Sequence, residues 1–292
     1  MSTATQVVIF GEVLFDNFPN GQQVLGGAPF NVAWHLQALG DAPVFVSRVG
    51  KDLSGDRVIQ AMTQWGMTTS ALQIDPVRPT GQVDVHFSAD EPHYDIVVNT
   101  AYDFIDAEHL PTLSSGSLLY HGTLALRNEV SRLALERMIQ GGEMQIFLDV
   151  NLRAPWWDKE RVFECLSRAH WAKMNEDELA LLDEKERPLE EAMSHLQEHF
   201  GLQHLIVTRG ARGGLVRTAD GCFHSAPSGQ SSTTVDTVGA GDAYSAVYIH
   251  GLLSGWALET ILECAQAFAA KVVAMRGATS KDKSLYRELL QE

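Results

Sequence analysis

Short apolar runs rich in β-branched residues, at Val7–Phe10, Val44–Val49, Leu118–His121, Gln145–Val150 and His204–Thr208, recur along this chain with helical patterns between them. A strand without polar alternation is buried on both faces, which requires a sheet with helices packed above and below it. The patterns at Ser54–Trp65, Asn128–Gln140, Leu189–Phe200, Ala243–Leu253 and Glu259–Met275 supply those covers. The expected fold class is therefore α/β, a three-layer α/β/α arrangement around a mainly parallel central sheet. Two segments break the rhythm. Val13–Ala28 is short, apolar and turn-rich, and Gly81–Asn99 alternates as Val83, Val85, Phe87, then Tyr94, Ile96 and Val98 around Ala89-Asp90-Glu91-Pro92. Both read as antiparallel strands, which places a small β-sheet lid at about residues 13–28 and 75–100 within a single domain, 1–292.

At 292 residues and 45% hydrophobic composition, one core can still serve the whole chain. The formal net charge of −15 argues against DNA or RNA as partner, because such binding depends on Lys and Arg neutralising phosphates. A single nucleotide is compatible with it, since backbone N–H groups, a helix N-terminus and a magnesium ion hold a triphosphate without entering the charge count. Cys165, Cys222 and Cys264 form no C-x-x-C pair and suggest neither a disulfide framework nor a thiolate zinc site. No apolar run approaches the roughly 20 residues of a membrane span, and MSTATQ lacks the basic start of a secretory signal, so a cytoplasmic protein with no membrane partner is expected.

The most informative stretch is Asp236-Thr237-Val238-Gly239-Ala240-Gly241-Asp242, which runs into the helical pattern of Ala246, Val247, Ile249, His250 and Leu253. Small residues at Gly239, Ala240 and Gly241 allow a tight turn and leave consecutive N–H groups bare at a helix start, an anion hole. Asp242 in the first helical turn is favoured as a carboxylate by the helix dipole. Phosphoryl transfer suits a weak base, because the attacking hydroxyl needs an acceptor mainly to orient it and take a late proton. A helix cap over a glycine turn is the competing reading of the same residues. A Walker P-loop is excluded, since Gly50-Lys51 is followed by Asp52, and a Rossmann fingerprint fails at Tyr244.

These residues resemble a known family, the ribokinase-like or PfkB sugar kinases. Asp236–Asp242 matches its Asp-Thr-x-Gly-Ala-Gly-Asp signature, and Gly26-Gly27-Ala28-Pro29-Phe30-Asn31 matches its earlier Gly-Gly…Asn signature, in the expected order over essentially the whole chain. The resemblance implies a ribokinase-like fold, ATP with Mg²⁺, Asp242 as catalytic base, and the backbone of Gly239, Ala240 and Gly241 around the transferring phosphoryl group. It further implies sugar contacts at Asp16 (in Gly11-Glu12-Val13-Leu14-Phe15-Asp16), Gly26, Gly27 and Asn31; without it, Asp16 reads as a turn residue. Asp149-Val150-Asn151-Leu152-Arg153 is similar to the family's Asp-x-Asn-x-Arg segment. There Arg153 could offer a guanidinium fork to substrate or phosphate, a surface salt bridge being the alternative. Asn175-Glu176-Asp177-Glu178 resembles the Asn-x-x-Glu element, implying Asn175 on the nucleotide and Glu178 ordering magnesium through water, although acidic residues also simply start helices. Thr208-Arg209-Gly210-Ala211-Arg212-Gly213 looks like the nucleotide turn, so Thr208, Gly210 and Gly213 are expected along ATP. Gln266 and the turn Arg276-Gly277-Ala278-Thr279 resemble the region flanking adenine and, in several members, a potassium ion.

Three departures stand out: Ala246-Val247 where the family has smaller residues, Gln266 where Asn is common, and Phe30, an aromatic next to the expected sugar pocket. The Gly-Gly-Ala-Pro-x-Asn form, the Gly-Glu start and Arg78-Pro79-Thr80-Gly81 resemble fructokinases, which implies fructose as first substrate. Ribose, 2-keto-3-deoxygluconate, a nucleoside, or a silent sugar-binding regulator are the alternatives. No cation stands beside Asp16 or Asn31 in the sequence to receive an acid sugar. His195 and His199 are spaced i, i+4 but have no further ligand at metal spacing. An exposed lid sheet could pair with its copy in a homodimer.

Overall fold

A computed structural model describes residues 5–88, 91–183, 185–226 and 236–289. The large sheet contains β1 (Val7–Phe10), β4 (Val44–Gly50), β5 (Leu72–Asp75), β8 (Ser117–His121), β9 (Met144–Asp149), β10 (Trp171–Asn175), β11 (His204–Thr208), β12 (Gly214–Thr218) and β13 (Phe223–Ser225). Their order is β13-β12-β11-β10-β9-β8-β1-β4-β5, parallel from β11 to β5, with β12 and β13 added antiparallel at one edge. The chain winds one way from β1 through β4 to β5 and the other way from β8 onward. The strand order therefore reverses between β1 and β8, and the carboxyl ends at such a reversal form the crevice where open α/β sheets take ligands.

Helices α1 (Ala28–Leu39), α2 (Leu53–Trp65), α7 (Ala240–Ser254) and α8 (Leu258–Val273) cover one face, and α3 (Glu129–Gln140), α4 (Lys159–Leu166), α5 (Glu176–Leu182) and α6 (Leu189–Phe200) the other. Alternate residues of each strand feed separate cores. Ile9, Tyr120 and Phe147 face α1, α7 and α8, whereas Phe10, Leu119 and Leu148 face α3 to α6. This is the three-layer α/β/α class expected from the alternation. Phe30, the aromatic next to the expected sugar pocket, turns into the core, fully buried against Trp34 and Phe45 with ring centroids 5.8 and 5.7 Å away. Ala246 and Val247 are fully buried on α7.

The segments expected to form a lid make up a second sheet, ordered β3-β2-β6-β7, from β2 (Leu14–Asn17), β3 (Gln23–Gly26), β6 (Gly81–Ser88) and β7 (Glu91–Ile96). Each pair expected from sequence is an antiparallel hairpin, but the two hairpins join through a parallel contact, β2 on β6. Of the turn read between β6 and β7, Ala89 and Asp90 lie outside the described residues. At the lid's root Arg127 clamps the returning chain. Its Nε and Nη2 donate to Asp103 at 2.7 and 2.9 Å, and Nη2 also reaches the Val97 carbonyl at 2.7 Å.

Candidate active site

The anion hole begins at Gly239, whose φ of 81° makes it a left-handed N-cap for α7 with no side chain capping the helix. A Cβ there would meet that of Ala278 at 2.3 Å, so glycine is required both by the backbone and by the neighbouring turn. That turn is tied down by Asp236, whose carboxylate accepts from Val238 N at 3.0 Å and Gly277 N at 3.2 Å. Beneath the hole lies Lys173 of β10. Its ammonium would be 3.3 Å from a Cβ at Gly241, and it donates to both oxygens of Asp149, at 2.9 and 2.8 Å. Ser245 Oγ (2.8 Å) and Tyr120 OH (3.3 Å) also donate to Asp149. This buried network fastens the first turns of α7 to the ends of β9 and β10. Burial alone would lower the Lys173 pKa, but Asp149 outweighs it and raises it, so the cation persists.

Asp242 projects from the first turn of α7, and its Oδ2 accepts from Asn31 Nδ2 at 2.8 Å. Burial pushes its carboxyl up to about 6, against the Asn31 hydrogen bond, with Asp149 adding to the rise. With its carboxyl at about 6, Asp242 is mostly ionised at neutral pH but is a stronger base than the helix dipole alone predicts, because burial outweighs the lowering by Asn31, Lys173 and Arg153.

Asn31 stands in the first turn of α1, which starts at Gly27 with φ 107°. A Cβ on Gly27 would approach the Glu12 carbonyl to 2.8 Å, and one on Gly26 would lie 3.6 Å from Asp16 Oδ2. Asp16 and Gly26 therefore share one lid face across the β2–β3 pair. Burial raises Asp16 to about 6, offset by Arg153 and supported by Asp236. The exposed Arg153 is thus an electrostatic neighbour of Asp16, and also of Glu12 and Asp242. This corrects the expectation that no cation stands beside Asp16; the connection passes between strand ends far apart in sequence.

The neighbouring strand ends carry the other expected residues. Asn175 and Thr208 are paired across β10 and β11, and Thr208 runs into Gly210–Arg212, a single 3-10 turn closed by Gly213. A Cβ on Gly213 would lie 3.5 Å from Gln266 Oε1, which places α8 against the same turn. Arg212 pairs with Glu176 at the start of α5. Asn175 and Glu178 form a reciprocal capping box at 2.8 Å each way, and the other Glu178 oxygen accepts from Leu152 N at 2.7 Å. Hence Glu178 does start a helix, and it also holds the loop that carries Arg153. Among the described residues, no three His, Cys, Asp or Glu side chains gather as a metal cage, the His195–His199 pair included.

The model of pfkB family carbohydrate kinases matches residues 6–284. The chain belongs to this family. A fructokinase of Klebsiella pneumoniae is 30% identical, the match covering 90% of this chain and 88% of that protein. The crystal structure of a Vibrio cholerae O395 fructokinase bound to fructose, ADP and calcium ion is 26% identical with TM-score 0.84, covering 97% of this chain and 98% of the other. Aminoimidazole riboside kinase of Salmonella enterica, complexed with aminoimidazole riboside and an ATP analog, is 25% identical with TM-score 0.83, covering 98% and 100%. In this pfkB kinase the expected residues fall into two groups of neighbours: Asp16, Gly26, Gly27, Asn31, Arg153 and Asp242 on the side of the smaller sheet, and Asn175, Thr208, Gly210, Gly213 and Gln266 beyond Lys173. Glu12, Asp149 and Lys173 escaped a role in the sequence reading. The clue for Lys173 was a lone lysine in the apolar run Trp171-Ala172-Lys173-Met174.

Proposed function

We propose that this kinase transfers the γ-phosphoryl group of ATP to a hydroxyl of a neutral sugar, with fructose as first acceptor. The observation that carries the reading is the Asn31–Asp242 hydrogen bond, which sets a half-buried, partly desolvated carboxylate between the lid side and an uncapped helix N-terminus. Asp242 accepts the proton of the attacking hydroxyl, Asn31 orients that carboxylate, and the N–H groups of Gly239, Ala240 and Gly241 receive the charge on the transferring group. Asp16, Gly26, Gly27 and Arg153 hold the sugar. Asn175, Thr208, Gly210, Gly213 and Gln266 hold the nucleotide. Glu178 orders water around magnesium, whose contribution is to neutralise phosphate charge. Potassium belongs near the turn that Asp236 and Gly277 hold together. Closure of the lid excludes water and suppresses ATP hydrolysis. An acid sugar is disfavoured by Glu12, Asp16 and Asp242 together. A riboside is the second reading, supported by the Salmonella enterica likeness.

The test is ADP release with ATP and Mg²⁺ across a panel of sugars and ribosides, with and without potassium. Turnover with fructose supports the first reading, turnover with a riboside the second, and silence across the panel overturns both. The base also fixes a pH profile. Protonated Asp242 cannot accept a proton, so kcat/KM falls as pH drops through about 6 and is full above it; a rate unchanged down to pH 5 would remove Asp242 as base. The lid edges supply the surface for a cytoplasmic homodimer, for which light scattering giving twice the chain mass is the expected result and the monomer mass the contrary one.

A further inference from the structure

Sugar contacts on the lid side leave one wall of the crevice unassigned. At the strand reversal, Glu12 follows β1 and Arg127 follows the neighbouring β8 (Phe10 and His121 are register partners), so both stand at the carboxyl ends where ligands enter such sheets. Glu12 is 2% exposed, yet its Oε2 has no hydrogen-bond partner among the described residues. The same holds for Arg127 Nη1, on a guanidinium otherwise fixed by Asp103 and Val97, and for the hydroxyl of the fully buried Tyr102. Thr100, whose hydroxyl neighbours that of Tyr102, gives its hydrogen to Asp103 at 3.4 Å.

The three groups belong together. The Arg127 guanidinium lies 5.2 Å from the Tyr102 ring centroid, and Glu12 is an electrostatic neighbour of Arg127, Tyr102, Arg153 and Asp242. Tyr102 packs beneath the lid with Leu14, Val83 and Ile96. Buried polar atoms without partners are costly, so a cluster of them at the crevice calls for a polar occupant. Arg127 only donates, and the Glu12 carboxyl, pushed up to about 7 by burial, accepts when ionised and can also donate when protonated; a hydroxyl group can satisfy both residues at once.

We propose that Glu12, Arg127 and Tyr102 form the inner wall of the acceptor pocket and select a neutral polyol through hydroxyls other than the one phosphorylated. This rests on the sugar-kinase reading. A carboxylate there would face Glu12, and an acceptor lacking the matching hydroxyl would leave buried groups unpaired, which strongly disfavours it.

The experiment measures steady-state kinetics and calorimetric binding for the sugar that gives turnover and for its deoxy analogues, in the wild type, Glu12→Gln and Tyr102→Phe. Tyr102→Phe removes only a hydroxyl, whose neighbour Thr100 keeps its hydrogen bond to Asp103, so the fold is expected to stay intact. Expected are a rise in KM and Kd for the sugar of about tenfold or more in Glu12→Gln and about two- to tenfold in Tyr102→Phe, with kcat and the KM for ATP little changed. One deoxy analogue should bind wild type and Tyr102→Phe equally. Normal turnover with an unmoved sugar KM in both variants would overturn the inference, assigning the wall to trapped water. No turnover by the wild type with any sugar would instead overturn the kinase reading beneath it.

Discussion

Asp242→Asn is expected to cut turnover at least about a hundredfold while leaving sugar binding and the fold in place, the loss typical of removing a general base. The amide keeps an oxygen for Asn31 Nδ2, so the 2.8 Å contact survives. It also removes a carboxylate that the fold holds at a cost. The carboxyl is pushed up to about 6, above its ordinary value, so the stability that it contributes in its protonated state is lost as pH rises toward and past 6. At pH 7.5 the variant should therefore melt at the same temperature as wild type or higher. Steady-state kinetics and a melting curve on one preparation separate the outcomes: near-normal turnover refutes the base, and lost turnover with a markedly lower melting point makes the residue structural.

The largest loss of stability is expected from Lys173→Met. Lys173 and Asp149 are nearly buried, their side chains 6% and 3% exposed, and contact at 2.8 Å. Removing the ammonium leaves the Asp149 carboxylate with only the Tyr120 and Ser245 hydroxyls, and breaking a buried pair from one side costs about 3–5 kcal/mol. The double variant Lys173→Met with Asp149→Leu should regain much of that, since an apolar pair of similar volume is often no less stable. Urea denaturation of the three proteins measures this. A single variant within about 1 kcal/mol of wild type would show that water reaches Asp149 and that the pair is not the brace described.

Much of the fold was legible because burial on both faces leaves an unmistakable mark. Val7–Phe10, His204–Thr208 and Leu189–Phe200 fall where the apolar patterns put them, and α3 starts after its Asn128 cap. β10 was missed because Lys173 interrupts its apolar run, and only the tertiary pairing with Asp149 explains a lysine there. β12 and β13, at the antiparallel edge, carry Arg217 and His224 and resemble loop sequence. Local motifs marked Gly239–Asp242 and Gly26–Asn31, since tight turns demand glycine wherever they occur. The environment of Asp16 could not be read in the same way. Arg153 reaches it from the loop after β9, and Glu12, Tyr102 and Arg127 come from three separate connections.

Glu178 is bonded at once to the backbone of Asn175, where β10 gives way to α5, and to that of Leu152, in the loop after β9. The end of β10 and the loop after β9 thereby share one carboxylate, so a shift of either strains a hydrogen bond to the other. On the proposed function, that shared carboxylate makes the strand ends a common anvil, and any travel that encloses the substrates belongs to the smaller sheet above them.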